Sequence, residues 1–329
     1  MKTFLKILKW LGIILSVLIV ILIVAVYSLF PPKYDSPKVE IAASTDSAVV
    51  AHGKYLVYGP AHCAECPVKS DRKNPQDWET IMLTKPLSGG LEFTMPGAVV
   101  YSGNLTPDKE TGTGRYTDSE LARLIKYCTK PDNTLLFPFM TYSGMTEQDV
   151  TAIVSYLRSI EPVNNKVADA ELNFMMKGFV AFLFNKPFLL ETDAPKSVVR
   201  DTTVEYGKYL ANKISGCEYC HTNADMMTGK FIGKPYAGGQ QTPPATEEQG
   251  VWVYSPNLTP DPETGRIYGW TEEMFIQRFR QGRMVKESIM PWECFKSYSD
   301  SDLKAVYKYL QTLEPVKHEV KEIVVRETK

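Results

Sequence analysis

Charge and hydropathy divide the chain unequally. Residues 10–32 hold no Asp, Glu, Lys or Arg, and Leu11–Phe30 is mostly Leu, Ile and Val. About 20 apolar residues at ~1.5 Å rise cross the roughly 30 Å hydrocarbon layer of a bilayer, so residues 1–33 read as a transmembrane signal anchor. Lys2, Lys6 and Lys9 precede the run and predict a cytoplasmic N-terminus. The alternative is a cleaved secretory signal. Its apolar region would usually run to about 7–15 residues, and no small-x-small cleavage site follows here. Either reading exports residues 33–329.

Beyond the anchor the pattern turns helical. Val150, Ile153, Val154 and Leu157 form one apolar face at i, i+3, i+4 and i+7, as do Leu303, Val306, Tyr307 and Leu310. These helices start near Thr146 and Ser299, each with an Asp three residues on. Thr117 and Thr271 read as further N-caps, and Thr117 with Glu120 has capping-box spacing. Other helices are expected near 46–58 and 203–213. The segments between are rich in Gly and Pro, as in PLSGG (86–90), PYAGG (235–239) and NLTPD, and predict loops rather than strands. The expected fold class is mainly α.

The chain repeats itself. HGKYLVYGPAHCAEC (52–66) aligns with YGKYLANKISGCEYC (206–220), and YSGNLTPDKETGTG (101–114) with YSPNLTPDPETGRI (254–267). TDSEL (117–121) matches TEEMF (271–275), and MTEQDVTAIVSYLRSIEPV (145–163) matches YSDSDLKAVYKYLQTLEPV (298–316), with the offset staying between 150 and 154. The division is a 1–33 anchor, a first domain at 44–163, a 164–200 linker, a second domain at 201–318 and a 319–329 tail.

Composition removes some functions. The formal net charge over 329 residues is −1, which argues against a nucleic-acid binder. The first 33 residues hold four Lys and no acid, so residues 34–329 carry −5. Six cysteines in this length are too few for a disulfide scaffold. A mildly acidic exported chain of this kind fits a bacterial periplasm. The protein is expected at the cytoplasmic (inner) membrane, single-pass, with its domains facing the periplasm.

The cysteines carry the chemistry. CEYCH (217–221) has the C-x-x-C-H spacing of a c-type haem attachment site. On a helical turn Cys217 and Cys220, at i and i+3, project from one face, where both can form thioethers to one porphyrin. His221 then meets the iron. Methionine on the opposite face raises the reduction potential, and Met290 in SIMPW (288–292) is the candidate, in a loop between two predicted helices. Met284 is its rival, whereas Met226 and Met227 lie too close to the attachment helix to reach the other face. A zinc half-site would need further local Cys or His, and the second domain offers only Cys294 and His318. A thioredoxin-like CxxC needs a βαβ context, which the pattern lacks.

On these motifs, residues 201–316 resemble a class I cytochrome c domain: YGKYL, CEYCH, PYAGG, NLTPDPETG, SIMPW and the closing LKAVYKYL. The resemblance implies two tandem domains of that fold behind the transmembrane helix. Its first and last helices would cross near Gly207 and Tyr309, where glycine permits close backbone approach. NLTPDPETG, SIMPW and the apolar linker ELNFMMKGFVAFLFNKPF (171–188) more closely resemble the membrane-bound cytochrome c subunits of periplasmic alcohol, aldehyde or gluconate dehydrogenases. The uncharged stretch Gly178–Asn185 is too short to span a membrane, so an amphipathic helix packed between the domains is expected there.

The first domain departs from the motif. It reads CAECP (63–67), with Pro67, which has no donor for iron, in place of the histidine. Met140 matches Met290, but Thr141 replaces the following proline. Three readings are open: a domain that has lost haem, with Cys63 and Cys66 bridged; haem with His62 or His52 as substitute ligand; or another metal on His62, Cys63, Cys66 and Cys128. The first is preferred, leaving the domain a spacer or docking role. Cys128 and Cys294 have no counterparts in the opposite copy and read as buried thiols, although a bridge between them would tie the domains. His318 and the tail read as a solvated end.

The expected function is electron transport without substrate turnover, through one covalent haem c in the second domain. Its redox partners would be a dehydrogenase, a respiratory complex or a terminal oxidase, with membrane contact through the N-terminal helix and neither nucleic acid nor a small-molecule substrate. A dihaem peroxidase would need two CxxCH sites and an open iron. A haem sensor would need an output segment, which the sequence after residue 318 does not resemble.

Overall fold

A 28-residue helix, α1 (Lys2–Leu29), opens the computed structural model, which describes residues 2–66, 78–136, 142–184, 194–225 and 229–327. Residues Thr3–Leu29 are long and apolar enough to cross a membrane by length and composition, as the uncharged run predicts. The chain leaving α1 is fastened to the next half of the molecule. Tyr34 N donates to Asn133 O, Leu135 N to Pro32 O, and Arg123 donates to Ser36 Oγ at 2.7 Å and to Asn133 Oδ1.

The first half then runs α2 (Ser47–Tyr58), a 3₁₀ turn at Cys63–Glu65, α3 (Trp78–Thr84), β1 (Glu92–Met95), β2 (Ala98–Tyr101), α4 (Asp118–Tyr127), α5 (Glu147–Ser159) and β3 (Glu171–Leu172). After α6 (Phe174–Leu183) the series recurs. The second half has α7 (Val204–Tyr209) with a π turn at Leu210–Ile214, α8 (Cys217–His221), β4 (Gln241–Thr242), β5 (Val251–Tyr254), α9 (Glu272–Arg280), α10 (Trp292–Phe295), α11 (Asp300–Gln311) and β6 (Val324–Arg326). Helices dominate, as expected, and the caps are where the sequence places them. Thr117 makes a full capping box with Glu120, and Thr146, Thr271 and Ser299 each accept from a backbone N–H three residues on.

Strands are the main departure from a loop-only reading of the Gly- and Pro-rich segments. Those segments are irregular, but each leads to a small antiparallel sheet, β1-β2-β3 in one half and β4-β5-β6 in the other. The strands are two to four residues long, too short for the alternation that identifies a strand. The tail is corrected as well. Val324–Arg326 pairs with Val251–Val253, and His318 is held through Nδ1 by Ala237 O at 2.8 Å. The repeat therefore extends past the sequence match, with β3 and β6 in equivalent positions.

In both halves the first helix crosses the last at a glycine. A Cβ on Gly53 would lie 1.8 Å from Ala152 O, and one on Gly207 would lie 1.9 Å from Ala305 O. The crossing partner of Gly207 is thus Ala305, one turn before the expected Tyr309, which instead packs on the Tyr236 ring and accepts from Asn212.

The two halves face each other through equivalent residues. Tyr55 of α2 donates to Asp302 Oδ2 of α11 at 2.5 Å and accepts from Ser299 N. Tyr209 of α7 donates to Asp149 Oδ2 of α5 at 2.5 Å and accepts from Thr146 N. Each tyrosine thus caps the last helix of the opposite half, and one buried apolar cluster runs through both. The helix α6 does not lie between the halves as expected. It packs on the end of α1, with Gly178 against Val26 and the Phe174 ring 6.2 Å from that of Tyr27.

Candidate functional site

The CxxCH segment follows a tight reversal. Gly216 takes φ of 61°, a conformation that L side chains resist, and this turns the chain into α8. That single turn carries Cys217, Cys220 and His221. His221 is buried, and burial lowers its pKa against the opposing effect of a carbonyl partner. Nδ1 lies 3.0 Å from Pro256 O. A carbonyl only accepts, so Nδ1 carries the proton and Nε2 keeps its lone pair. Metal-bound histidines are commonly oriented by this arrangement. Burial also pushes the Cys217 thiol up to about 12.

Met290 is half-buried and packs against the core, whereas its rival Met284 is 66% exposed. Met226, Met227, Met140, Thr141 and Pro67 lie outside the described residues. The backbone around Met290 is held by a residue to which the sequence drew no attention, Arg283. Its buried guanidinium donates to Ser288 O, to Met290 O at 3.3 Å, and through two nitrogens to Glu293 at 2.8 and 2.6 Å. It also stacks over the Trp78 ring of the first half at 4.6 Å, and Glu65 lies 3.9 Å away. Ser288 Oγ accepts from both Met290 N and Trp292 Nε1.

Tyr219, Phe231, Ile232 and Ile289 stay exposed, with the Tyr219 and Phe231 rings edge to face at 6.3 Å. Side chains also pack around the CxxC of the first half. Ala61, Ala64, Trp78 and Met82 are buried, and Tyr142 Oη sits 3.9 Å from Cys63 Sγ while donating to Ala61 O.

The substitute ligands weighed for the first half are otherwise engaged. His52 Nε2 meets Asp149 Oδ1 at 2.7 Å and Nδ1 meets Arg200 at 2.8 Å, so both nitrogens are engaged. The His62 ring packs edge-on against Phe295 at 5.5 Å, and burial lowers its pKa to about 4. Among the described residues no group of three or more His, Cys, Asp or Glu is placed to hold a metal ion, so His62, Cys63, Cys66 and Cys128 do not form the site weighed above. Cys63 is a thiol rather than half of a bridge to Cys66. Cys128 and Cys294 are buried as expected. Cys294 Sγ lies 3.3 Å from Met82 Sδ instead of being bonded to Cys128.

No protein-family model matches the chain. It is 28% identical over 288 residues to the cytochrome c subunit of alcohol dehydrogenase (quinone) of Gluconacetobacter polyoxogenes, an alignment covering 82% of this chain and 57% of that subunit. It is 26% identical over 288 residues to the gluconate 2-dehydrogenase cytochrome c subunit of Pantoea cypripedii, covering 82% of this chain and 60% of the relative. It is 24% identical over 297 residues to the fructose dehydrogenase cytochrome subunit of Gluconobacter japonicus, covering 84% and 55%. The chain is thus similar to c-type cytochromes. Its resemblance is to dehydrogenase cytochrome subunits in particular, and it spans between 55% and 60% of the length of these three.

Proposed function

We propose that the protein is a membrane-anchored electron carrier with two tandem class I cytochrome c domains, of which the second holds haem c. Cys217 and Cys220 would carry the thioethers, His221 Nε2 would ligate one face of the iron and Met290 the other. A haem held there supplies a one-electron Fe(III)/Fe(II) couple. The chain's own residues would supply both iron ligands, His221 from its buried position and Met290 from its half-buried loop. Pro256 O fixes the His221 ring and its proton, and Arg283 fixes the Met290 loop. The first half braces this assembly. Ser215 Oγ, two residues before Cys217, donates to Pro60 O at 2.9 Å, and Trp78 stacks on Arg283.

The observation that carries the reading is the buried His221, protonated on the nitrogen away from the site, within an intact CxxCH. Similarity to cytochrome subunits of dehydrogenases makes the catalytic subunit of such an enzyme the partner proposed to deliver electrons. The chain itself would be the non-catalytic subunit, on the periplasmic side of the bacterial inner membrane. The test is a reduced-minus-oxidised spectrum of the purified protein. A low-spin c-type spectrum with a Met–iron charge-transfer band in the oxidised form supports the reading, and a high-spin ferric spectrum contradicts it.

A further inference from the structure

We propose that α6 is a second membrane contact, a short helix lying in the headgroup–acyl boundary of the outer leaflet beside the exit of α1. The inference rests on the reading of α1 as a membrane span.

Surface helices of soluble domains turn a polar face outward, and α6 does the opposite. Its sequence FMMKGFVAFL carries one charge. The side chains turned inward are Val180 and Ala181. Those turned outward are apolar, with Met175 80%, Leu183 57%, Phe182 46% and Phe174 37% exposed. Met175, Phe182 and Leu183, at i, i+7 and i+8, share one side of the helix.

The neighbour of α6 identifies what covers this face. Counting back from Leu29, about 20 residues fill the hydrocarbon layer, so Val26 and Tyr27 lie in the last turn of the span. This is the turn on which α6 sits. Val26 is only 1% exposed, unlike the lipid-facing residues before it, and a Cβ on Gly178 would lie 3.4 Å from its Cγ2. The single charge of α6, on Lys177, lies 5.4 Å from the centre of the Tyr27 ring and 5.8 Å from that of Phe30, an aromatic and cationic cluster of the kind that marks a membrane interface. Further points fix the depth. Asn173 N donates to Gly97 O, and β3 pairs with β2, so α6 is tied to the first half as well as to the anchor. A helix held at the end of a membrane span with an apolar outer face meets lipid. Together α1 and α6 form a two-point foot that fixes the tilt of the electron-transfer domains against the bilayer.

The experiment places a photoreactive benzophenone side chain in the full-length holoprotein, reconstituted into phosphatidylethanolamine–phosphatidylglycerol vesicles. Four single variants are compared: Leu18→p-benzoylphenylalanine in α1, Met175→p-benzoylphenylalanine and Phe182→p-benzoylphenylalanine in α6, and Glu205→p-benzoylphenylalanine on the exposed start of α7. The expected result is lipid adducts by mass spectrometry at 18, 175 and 182, with at least tenfold less at 205. Adducts at 18 but none at 175 and 182 overturn the foot and leave the anchor standing. No adduct at 18 overturns the anchor reading, and the foot with it. Labelling at 205 equal to that at 175 also overturns the proposal. So does crosslinking of 175 and 182 to another protein instead of lipid in native membranes.

Discussion

The state of His221 and the grip on Met290 decide what this site can do. The Pro256 carbonyl settles the His221 tautomer, and burial favours the neutral ring, the form that ligates iron. Met290→Ala is expected to remove the charge-transfer band, open the reduced protein to CO and lower the reduction potential, since methionine ligation raises it. Haem content should stay unchanged, because Cys217, Cys220 and His221 remain. If Met284→Ala has these effects instead, the ligand assignment is wrong. Arg283 holds the backbone that carries Met290. Lysine cannot reach Ser288 O, Met290 O and both Glu293 oxygens from one planar group. Arg283→Lys should therefore weaken the band and lower the potential at full haem content, as measured by potentiometric titration. CEYCH was legible in the sequence because its spacing is local. Arg283 was not, because its role depends on contacts with Ser288, Met290, Glu293 and Trp78 that only folding brings together.

The paired helices carry the stability of each half and the bond between halves. In Asp149, burial is outweighed by hydrogen bonds from His52 and Tyr209, and the carboxyl is held below its usual range. In Asp302, burial wins over the bonds from Tyr55 and Ser299, and the carboxyl is raised. The signs therefore oppose. The contribution of Asp149 is present above the ordinary carboxylate range and fades as pH falls through its lowered folded value. That of Asp302 is present at low pH and fades as pH rises through its raised value. Asp149→Asn should cost about 2 kcal/mol at pH 7, the scale of a charged hydrogen bond, and the gap in Tm from wild type should close in acid. Asp302→Asn should cost less at pH 7. Gly207→Ala would force a methyl group against Ala305 O, and thermal melts should show a loss on the order of 3 kcal/mol.

The amphipathic helices and their caps were readable from i, i+3, i+4 spacing. The reciprocal tyrosines were present in the repeat as Tyr55 and Tyr209 but carried no sign that each reaches the other half. Strands of two to four residues gave no periodic signal. The 171–188 segment was recognisable as apolar, but its place beside Val26 depends on tertiary packing.

The whole molecule divides its tasks. The second half has the complete CxxCH motif and the Met290 loop held by Arg283. The first half keeps the helices, the glycine crossing and the caps, buries Trp78, Met82 and Tyr142, and braces its partner through Pro60 and Trp78. The anchor, fastened through Pro32–Ser36 to Asn133 and Arg123, joins the first half to the membrane. That division makes the central claim one of stoichiometry, and the haem-to-protein ratio of the purified full-length chain tests it most directly. The account predicts one covalently bound haem per chain, lost entirely in a Cys217→Ala, Cys220→Ala double variant. A ratio of two, or haem retained by that variant, would contradict it.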